Sequence, residues 1–364
     1  MSIKVTLIAG ARPNFIKISP IIKALETARD KGAAIEYRLV HTGQHYDDAM
    51  SQSFFRDLGI PNPHVNLKAG SGTQAEQTAS IMISFEKELV ENRPNVVMVV
   101  GDVNSTLACS IVAKKLNIDV AHVEAGIRSG DRMMPEEINR LVTDSISDYF
   151  FTTTVQAGEN LMREGVDPRQ IFWVGNTMID TLIAQESKFK EPAIFTSLKL
   201  KKEQYLVLTL HRPSNVDDSK NLESLLKLIH QSANDVPVLF PVHPRTQKML
   251  ASVNVPASIH TCEPFGYLEF LYLIKNAMGV VTDSGGIQEE TTYLHKPCIT
   301  LRTTTERPET VTVGTNILIG ERYDQIPIAL TSLIKKEWRT GKIPELWDGK
   351  TSTRIIQKII ELYS

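Results

Sequence analysis

Charged side chains recur directly after short apolar runs along this sequence. In the first half, Asp102 follows "NVVMVVG", Glu124 follows "DVAHV", and Glu136 comes soon afterwards in "MMPEEINR". Carboxylates in different environments can act as general acid and general base, because one is held ionised while another keeps its proton. In the second half, "VLTL" is followed by His211 and "GVVT" by "DSGGIQEE". One such residue alone is usually a cap or a solvated charge, but this series of them predicts a functional site.

The segment "VVTDSGGIQEE" predicts a helix that begins at an anion. Ser284, Gly285 and Gly286 follow an apolar run, and backbone N–H groups at a helix start can bind a phosphate. Glu290 comes about one turn later, where a carboxylate can accept hydrogen bonds from ribose hydroxyls. The alternative is that Glu289 and Glu290 only complement the helix dipole. A nucleoside diphosphate is favoured because cationic side chains are available to balance its charge: Arg12, His211 and Arg307.

Length and composition limit the class of protein. A chain of 364 residues is long enough for two domains, and its net charge of −2 argues against a nucleic-acid binder. The cysteines Cys109, Cys262 and Cys298 are too far apart in sequence to predict a disulfide framework or a zinc site. There is no signal-peptide pattern and no apolar run of the ~20 residues that a membrane span needs, so we expect a cytoplasmic protein.

Short β-branched runs alternate with longer amphipathic runs along the chain. Apolar strands separated by helices predict parallel sheets covered on both faces, which is the doubly wound α/β class. Between about 185 and 203 a charged segment without periodicity interrupts the alternation, and we interpret it as a linker. In such sheets ligands bind beyond the carboxyl ends of strands, where the polar residues above are found. The turn "GARPNF" has one glycine rather than the GxGxxG fingerprint, which argues against a nicotinamide dinucleotide.

A set of motifs spread over the chain resembles one known enzyme family. The motifs are "GARPNFIK", "TGQH", "GDVNSTLA", "HVEAGIRSGD", "PEEINR", "GNTMID", "HRPSN", "PVHP", "TDSGGIQEE" and "TTTERPE". In order and spacing they are similar to those of the non-hydrolysing UDP-N-acetylglucosamine 2-epimerases. The resemblance implies the glycosyltransferase-B architecture, in which two Rossmann-like doubly wound domains face a cleft. We expect an N-terminal domain at 1–185 with the catalytic carboxylates, a UDP-binding domain at 204–345, and a C-terminal helix at 350–364 that crosses back to the first domain.

The resemblance also implies an activity. This family inverts C2 of the sugar in UDP-N-acetylglucosamine to give UDP-N-acetylmannosamine for surface polysaccharides, and it works as a homodimer without metal or nicotinamide cofactor. The C2 proton is not acidic, so the family eliminates UDP to leave 2-acetamidoglucal and then adds UDP back. Elimination needs a carboxylate base near C2 and positive charge for the departing UDP. We therefore expect an isomerase that binds a UDP-sugar and binds neither nucleic acid nor a membrane.

Site residues follow from matching the motifs position by position. The resemblance implies catalytic roles for Asp102, Glu124, Glu136, His211 and Arg140. It implies substrate binding by Arg12, Lys17, His211, Phe270, Ser284, Gly285, Gly286, Glu290 and Arg307. Asp102 and Glu124 are expected to form the acid/base pair, without an assignment of either to one face of the sugar. Taken alone, Glu136 is a first-turn carboxylate that would pair with Arg140 four residues later.

Departures from the family pattern leave more than one function open. A "GARP" start also occurs in relatives that act on further UDP-linked acetamido sugars, including diacetamido uronates, and Phe265 stands where some members have a glutamine beside uracil. The sequence is also compatible with a glycosyltransferase of the same architecture, a hydrolysing relative, and a nucleotide-sugar sensor without catalysis. In members activated by their own substrate a glutamine stands at the position of Asp47, and "LKAGSGTQ" offers no arginine to complete the second site. We expect weak or absent activation unless Arg56, Lys68 or a partner subunit substitutes.

Overall fold

The computed structural model describes residues 2–43, 55 and 57–364, which form two compact units. The first unit comprises the described residues up to Ala184 together with Glu345–Ser364, and the second unit is Gln185–Pro344. Asp47 and Arg56, on which the expectation about substrate activation depends, lie outside the described residues. No helix in the described part of the chain is long and apolar enough to cross a membrane.

The first unit contains a parallel sheet of seven described strands in the order β3-β2-β1-β4-β5-β6-β7. The strands are β1 (Ile3–Ala9), β2 (Ile35–His41), β3 (Val65–Asn66), β4 (Val96–Val100), β5 (Asp119–Val123), β6 (Tyr149–Thr152) and β7 (Ile171–Trp173). The helices that connect them are α1 (Arg12–Asp30), α2 (Gln74–Glu91), α3 (Asn104–Lys115), α4 (Pro135–Ile146), α5 (Val155–Arg163) and α6 (Thr177–Gln185), with a 3₁₀ turn at Pro168–Gln170. Strand β4 is buried along its whole length because helices cover both faces of the sheet.

The second unit repeats this plan with six described strands in the order β10-β9-β8-β11-β12-β13. They are β8 (Leu206–Thr209), β9 (Val238–Pro241), β10 (Ile259–Cys262), β11 (Gly279–Thr282), β12 (Cys298–Thr300) and β13 (Asn316–Leu318). The helices are α7 (Ala193–Ser197), α8 (Pro213–Val216), α9 (Ser219–Ser232), α10 (Pro244–Leu250), α11 (Tyr267–Asn276), α12 (Gly285–Tyr293), α13 (Pro308–Thr312) and α14 (Ile326–Ile334), with 3₁₀ turns at Glu186–Lys188 and Tyr323–Gln325. All the paired strands are parallel.

The last helix, α15 (Thr351–Tyr363), belongs to the first unit and packs against α1. Its first backbone N–H groups, those of Thr351 and Ser352, donate to the Asp180 carboxylate at 3.2 and 2.7 Å. At its other end the Tyr363 hydroxyl donates to Asp119 at 2.6 Å. The helix is therefore fixed at both ends to the first unit.

The segment at 185–203, which the sequence analysis interprets as a linker, is packed onto the second unit. Phe195 and Leu200 are buried with Tyr205 and Leu273 in one apolar cluster, while all five lysines of the segment are exposed. The charged residues hide this pattern in the sequence because only a few apolar side chains anchor the segment. It is thus part of the second unit rather than an independent connection.

Strand order positions the candidate site residues in both units. In the first unit the order reverses between β1 and β4, and in the second between β8 and β11. Loops at the carboxyl ends of such strands form the crevice where doubly wound folds bind ligands. Each unit is a Rossmann-like parallel sheet, so the predicted fold class is confirmed.

Candidate active site

A buried ion pair joins α1 to the end of β5. Lys17 Nζ lies 2.7 Å from Glu124 Oε2, and only 12% and 3% of the two side chains are exposed. The ammonium favours the ionised carboxylate, which is the state that a general base requires. Lys17 was expected at the diphosphate, and the structure shows its ammonium next to Glu124, one of the two predicted acid/base carboxylates.

Glu124 has an unusual backbone conformation. Its φ is +71°, a left-handed value that costs a residue with a side chain roughly 1–2 kcal/mol. The N–H groups of Glu124 and Ala125 both donate to the carbonyl of Phe151, at 3.0 and 3.2 Å. Gly101 faces the ion pair, and a Cβ there would lie 3.2 Å from Lys17 Nζ. The loops after β4 and β5 therefore meet at this carboxylate.

Asp102, the residue after Gly101, is held by an arginine on α4. Arg140 donates to Asp102 Oδ2 from Nε at 3.1 Å and from Nη2 at 2.7 Å, and it also binds Glu137. The side chain of Asp102 is 30% exposed, so a substrate can reach it. Glu136 is half-buried in the first turn of the same helix. Arg140 therefore joins α4 to the loop after β4.

Glu137 connects α4 to the loop that precedes it. Its carboxylate accepts the N–H groups of Ser129 and Gly130. Burial raises the pKa of Glu137, but these N–H groups and Arg140 lower it more, so that the pKa lies below its usual value. Glu137 is therefore an ionised structural partner of Arg140.

In the second unit, His211 is oriented by an aspartate at the end of β11. His211 Nδ1 lies 2.7 Å from Asp283 Oδ1, and the aspartate is fully buried. Asp283 also accepts the N–H of Arg212 at 2.9 Å and Nδ2 of Asn215 at 3.0 Å. Burial raises the pKa of Asp283, but His211 and the other donors hold it below its usual value. The 37% of His211 that is exposed is available to a ligand.

Helix α12 begins at the predicted phosphate-binding residues. Ser284 is its N-cap residue, and Gly285 and Gly286 are its first two residues. The first N–H groups of a helix have no partner inside the helix and favour an anion. Beside this start, Arg302 is paired with Glu306 at 2.6 Å. Arg302 therefore adds little net positive charge at this helix start.

The two glutamates of α12 are buried and have different partners. Glu289 Oε1 lies 2.7 Å from Nε of Arg307, whose side chain is 8% exposed. Glu290 is buried beside Tyr267, and its own burial followed by the charge of Glu289 raises its pKa to about 8. Both glutamates are therefore buried within the unit rather than exposed on the surface of the helix.

Two of the predicted binding residues have less defined surroundings. Phe270 on α11 is half-buried against the apolar cluster that contains Tyr205 and Ile287. Arg12 is the first residue of α1, and its side chain lies outside the described part of the structure.

The sequence analysis missed several residues that organise the site: Glu137, Asp283, His122 and Asp144. Asp283 had a detectable signal, because it directly follows an apolar strand and precedes the glycine pair. His122 lies inside β5 and Asp144 inside α4, where polar residues give no strand-end signal. These two residues are both completely or almost completely buried.

Comparisons with known proteins extend over both units. The family model described as UDP-N-acetylglucosamine 2-epimerase matches residues 27–360. A Methanocaldococcus jannaschii protein named UDP-N-acetylglucosamine 2-epimerase is 46% identical, and the match covers 97% of this chain and 98% of that protein. A Pseudomonas aeruginosa protein named UDP-2,3-diacetamido-2,3-dideoxy-D-glucuronate 2-epimerase is 38% identical, with 99% and 100% covered.

A solved structure agrees with these sequence relatives. This chain is similar to the crystal structure of Methanocaldococcus jannaschii UDP-GlcNAc 2-epimerase in complex with UDP-GlcNAc and UDP. The two chains superpose with a TM-score of 0.87, are 44% identical in sequence, and match over 100% of each chain. Family model, sequence relatives and structure thus agree with the resemblance seen in the motifs. The predicted family is confirmed, and the chain belongs to the UDP-N-acetylglucosamine 2-epimerase family.

Proposed function

We propose that this protein interconverts UDP-N-acetylglucosamine and UDP-N-acetylmannosamine by eliminating UDP and adding it back. The observation that carries the proposal is the placement of two carboxylates of the family motifs, Asp102 and Glu124, at the ends of neighbouring strands. β4 and β5 are paired in register, and each carboxylate has its own cation, Arg140 or Lys17. An enzyme of this name is 46% identical over nearly the whole chain, which supports the same reaction.

Two carboxylates in different surroundings suit this reaction. In the elimination, a base takes the C2 proton while the bond from C1 to the UDP oxygen breaks, which leaves 2-acetamidoglucal and UDP. In the re-addition, a proton is delivered to C2 from the opposite face while UDP attacks C1. Buried Glu124 and more exposed Asp102 are proposed as this acid/base pair, with Glu136 as a third member.

Positive charge must balance the departing diphosphate. His211, held by Asp283, is proposed to donate to it from the ring nitrogen that Asp283 does not bind. Arg140 is proposed to act through Asp102. The remaining contacts are proposed for Arg12, Lys17, Ser284, Gly285, Gly286 and Arg307 at the diphosphate side, Glu290 at the ribose and Phe270 at the uracil.

A single incubation tests the reaction. The protein is incubated with UDP-N-acetylglucosamine in D2O and the products are followed by NMR. Epimer that carries deuterium at C2 is the expected result, because the base exchanges its proton with solvent. Epimer without deuterium would contradict elimination and re-addition. Free N-acetylmannosamine with UDP would indicate the hydrolysing reaction, and unchanged substrate would favour a sensor.

A second candidate is 2-epimerisation of a UDP-linked diacetamido uronate. It is favoured by the Pseudomonas aeruginosa relative of that name, which is 38% identical over 99% of this chain. Parallel measurements of kcat/KM with both nucleotide sugars decide between the two. A higher kcat/KM for the diacetamido uronate would show that this sugar is the substrate, and the same carboxylates would then have the same roles.

We propose a homodimer on the basis of an exposed apolar strip on α2. Ile83 and Val90 are 60% and 70% exposed and lie on one helix face, because a spacing of seven residues is two turns. Light scattering of the wild type should give the mass of two chains. Ile83→Glu together with Val90→Glu should give one chain, and a wild-type monomer would exclude this interface.

We propose a cytoplasmic role in supplying UDP-N-acetylmannosamine for surface polysaccharide. Support comes from the family alone. Metabolite analysis of a deletion strain tests it, because the sugar nucleotide and the polymer should both be lost.

A further inference from the structure

A buried group of side chains beneath the loops of the first unit connects both proposed catalytic carboxylates. His122 lies in β5 and is 0% exposed, and Asp144 lies in α4 and is 2% exposed. His122 Nδ1 is 2.6 Å from Asp144 Oδ1, and His122 Nε2 is 2.9 Å from the carbonyl oxygen of Gly101. Gly101 immediately precedes Asp102 in the chain. The histidine ring therefore connects the loop after β4 to α4.

The second oxygen of Asp144 holds the other side of the site. Asp144 Oδ2 accepts the backbone N–H of Gly126 at 3.0 Å and Nη1 of Arg128 at 2.7 Å. His122 and Gly126 stand two residues before and two residues after Glu124. One buried carboxylate thus binds both flanks of the residue whose φ is +71°.

Hydrogen-bond chemistry fixes the orientation of the His122 ring. The carbonyl oxygen of Gly101 can only accept, so His122 Nε2 must carry a hydrogen. One hydrogen lies between His122 Nδ1 and Asp144 Oδ1, while Asp144 Oδ2 accepts from Gly126 and Arg128. Both ring nitrogens and both carboxylate oxygens therefore have partners, and neither side chain has another use in the proposed mechanism.

We propose that Asp144 is a positioning residue for the epimerisation, which holds Glu124 in its left-handed conformation by binding His122 on one side and Gly126 on the other. The inference rests on the proposed function, because it assumes that Glu124 transfers a proton. A left-handed backbone at a residue other than glycine persists only where its surroundings determine it. The same group fixes the peptide before Asp102, so that both carboxylates depend on it. Asp144 does not touch the substrate and acts through the loop.

The central test is Asp144→Ala, which removes both connections. We expect kcat to fall by at least ~10²-fold, the scale of lost acid–base catalysis. KM and the affinity for UDP should stay within about threefold, because an interaction that acts only in the transition state changes kcat alone. Should the alanine variant not fold, Asp144→Ser replaces it, since one hydroxyl cannot reach both flanks.

Two further variants separate the hydrogen bonds from other effects. In Asp144→Asn the amide oxygen can still bind Gly126 and Arg128, and the amide NH₂ can donate to Nδ1 of a neutral His122. This variant should keep kcat within about tenfold of the wild type. The matched control is Glu164→Gln, which changes only the outer partner of Arg128, an exposed carboxylate 2.9 Å from Nε. It should leave kcat unchanged.

A double-mutant cycle with Glu124→Gln shows whether Asp144 acts through Glu124. In that background Asp144→Ala should cause a clearly smaller fold-loss of kcat than in the wild type, because residues that act as a unit are not additive and only the effect through Asp102 remains. The same fold-loss in both backgrounds would overturn the proposal, as would an asparagine variant as inactive as the alanine one.

Hydrogen exchange gives a result that does not need activity. The amides of residues 124–126 should exchange faster in Asp144→Ala than in the wild type, whatever the substrate is. If the wild type does not epimerise but exchange is faster in the variant, the proposed function is refuted. The structural role of Asp144 in holding residues 124–126 is then still supported. Unchanged exchange, or faster exchange with unchanged kcat, would refute the positioning role.

Discussion

Replacing Glu290 by glutamine should make the second unit more stable and its binding of UDP weaker. Glu290 is buried, its pKa is raised from 4.5 to about 8, and the causes are burial followed by the charge of Glu289. Glutamine has the shape and hydrogen-bonding groups of the protonated acid. It can therefore occupy the same buried position without ever carrying a charge.

The size of the effect follows from proton linkage. Between pH 4.5 and about 8 the folded protein keeps the Glu290 proton and the unfolded chain has lost it. The folded state then binds more protons, so stability falls as pH rises, by about 1.4 kcal/mol per pH unit. At pH 7 the free energy of unfolding of the wild type is about 3 kcal/mol lower than it is in acid, and above pH 8 it falls no further for this reason. Glu290→Gln removes this loss and should raise the Tm of the second unit by about 6–12 °C at pH 7.

Calorimetry at two pH values measures the prediction. The gain in the free energy of unfolding of Glu290→Gln over the wild type should be large at pH 7 and below about 1 kcal/mol at pH 5. Near pH 5 the gain is small because Glu290 also keeps much of its proton in the unfolded wild-type chain. A gain of equal size at both pH values would show that charge is not the cause, and a loss at pH 7 would refute the reasoning. Asp283→Asn is the control of opposite sign. Because the pKa of Asp283 is below its usual value in the folded protein, the ionised carboxylate stabilises the fold at pH values above that usual value. Asp283→Asn should therefore lower the free energy of unfolding at pH 7, and the difference from the wild type should become smaller at acidic pH.

Other predictions concern turnover and regulation. Asp102→Asn and Glu124→Gln should each lower kcat by at least ~10²-fold and retain the affinity for UDP. Steady-state kinetics measures kcat, and calorimetric titration measures the affinity. A near-normal kcat in either variant would show that the residue takes no part in the chemistry. Asp283→Asn should also lower kcat, because one amide oxygen cannot replace both carboxylate oxygens that bind His211, Arg212 and Asn215. Reaction started with pure UDP-N-acetylmannosamine should show no lag, because Asp47 would repel a second diphosphate and a ligand shifts an equilibrium only through differential contacts. A lag that a trace of UDP-N-acetylglucosamine abolishes would refute this last prediction.

The sequence predicts the two doubly wound units and the strand-end residues well, because both depend on local patterns. Asp102, Glu124 and His211 all stand where a buried strand ends, and the sheet order then brings the loops of each unit to one edge of its sheet. The partners of these residues could not be predicted. Lys17 reaches Glu124 from 107 residues away and Arg140 reaches Asp102 from 38, and only the packing of α1 and α4 on the sheet determines such contacts. The segment at 185–203 was misjudged for the same reason, because its few buried residues find their neighbours in α11 and β8 rather than nearby in sequence.

Each unit keeps a carboxylate in a state that carries an energetic cost. Glu124 has a left-handed backbone that glycine would adopt at less cost, and Glu290 is buried next to another glutamate. Stability alone would favour glutamine at the second position, whereas glycine at the first would relieve the backbone but leave the buried ammonium of Lys17 unpaired. Each replacement would remove the group that the proposed reaction uses, a proton carrier in one unit and a ribose acceptor in the other. The stabilising change Glu290→Gln should therefore reduce activity, whereas stabilising substitutions at the exposed lysines of 185–203 should leave activity unchanged.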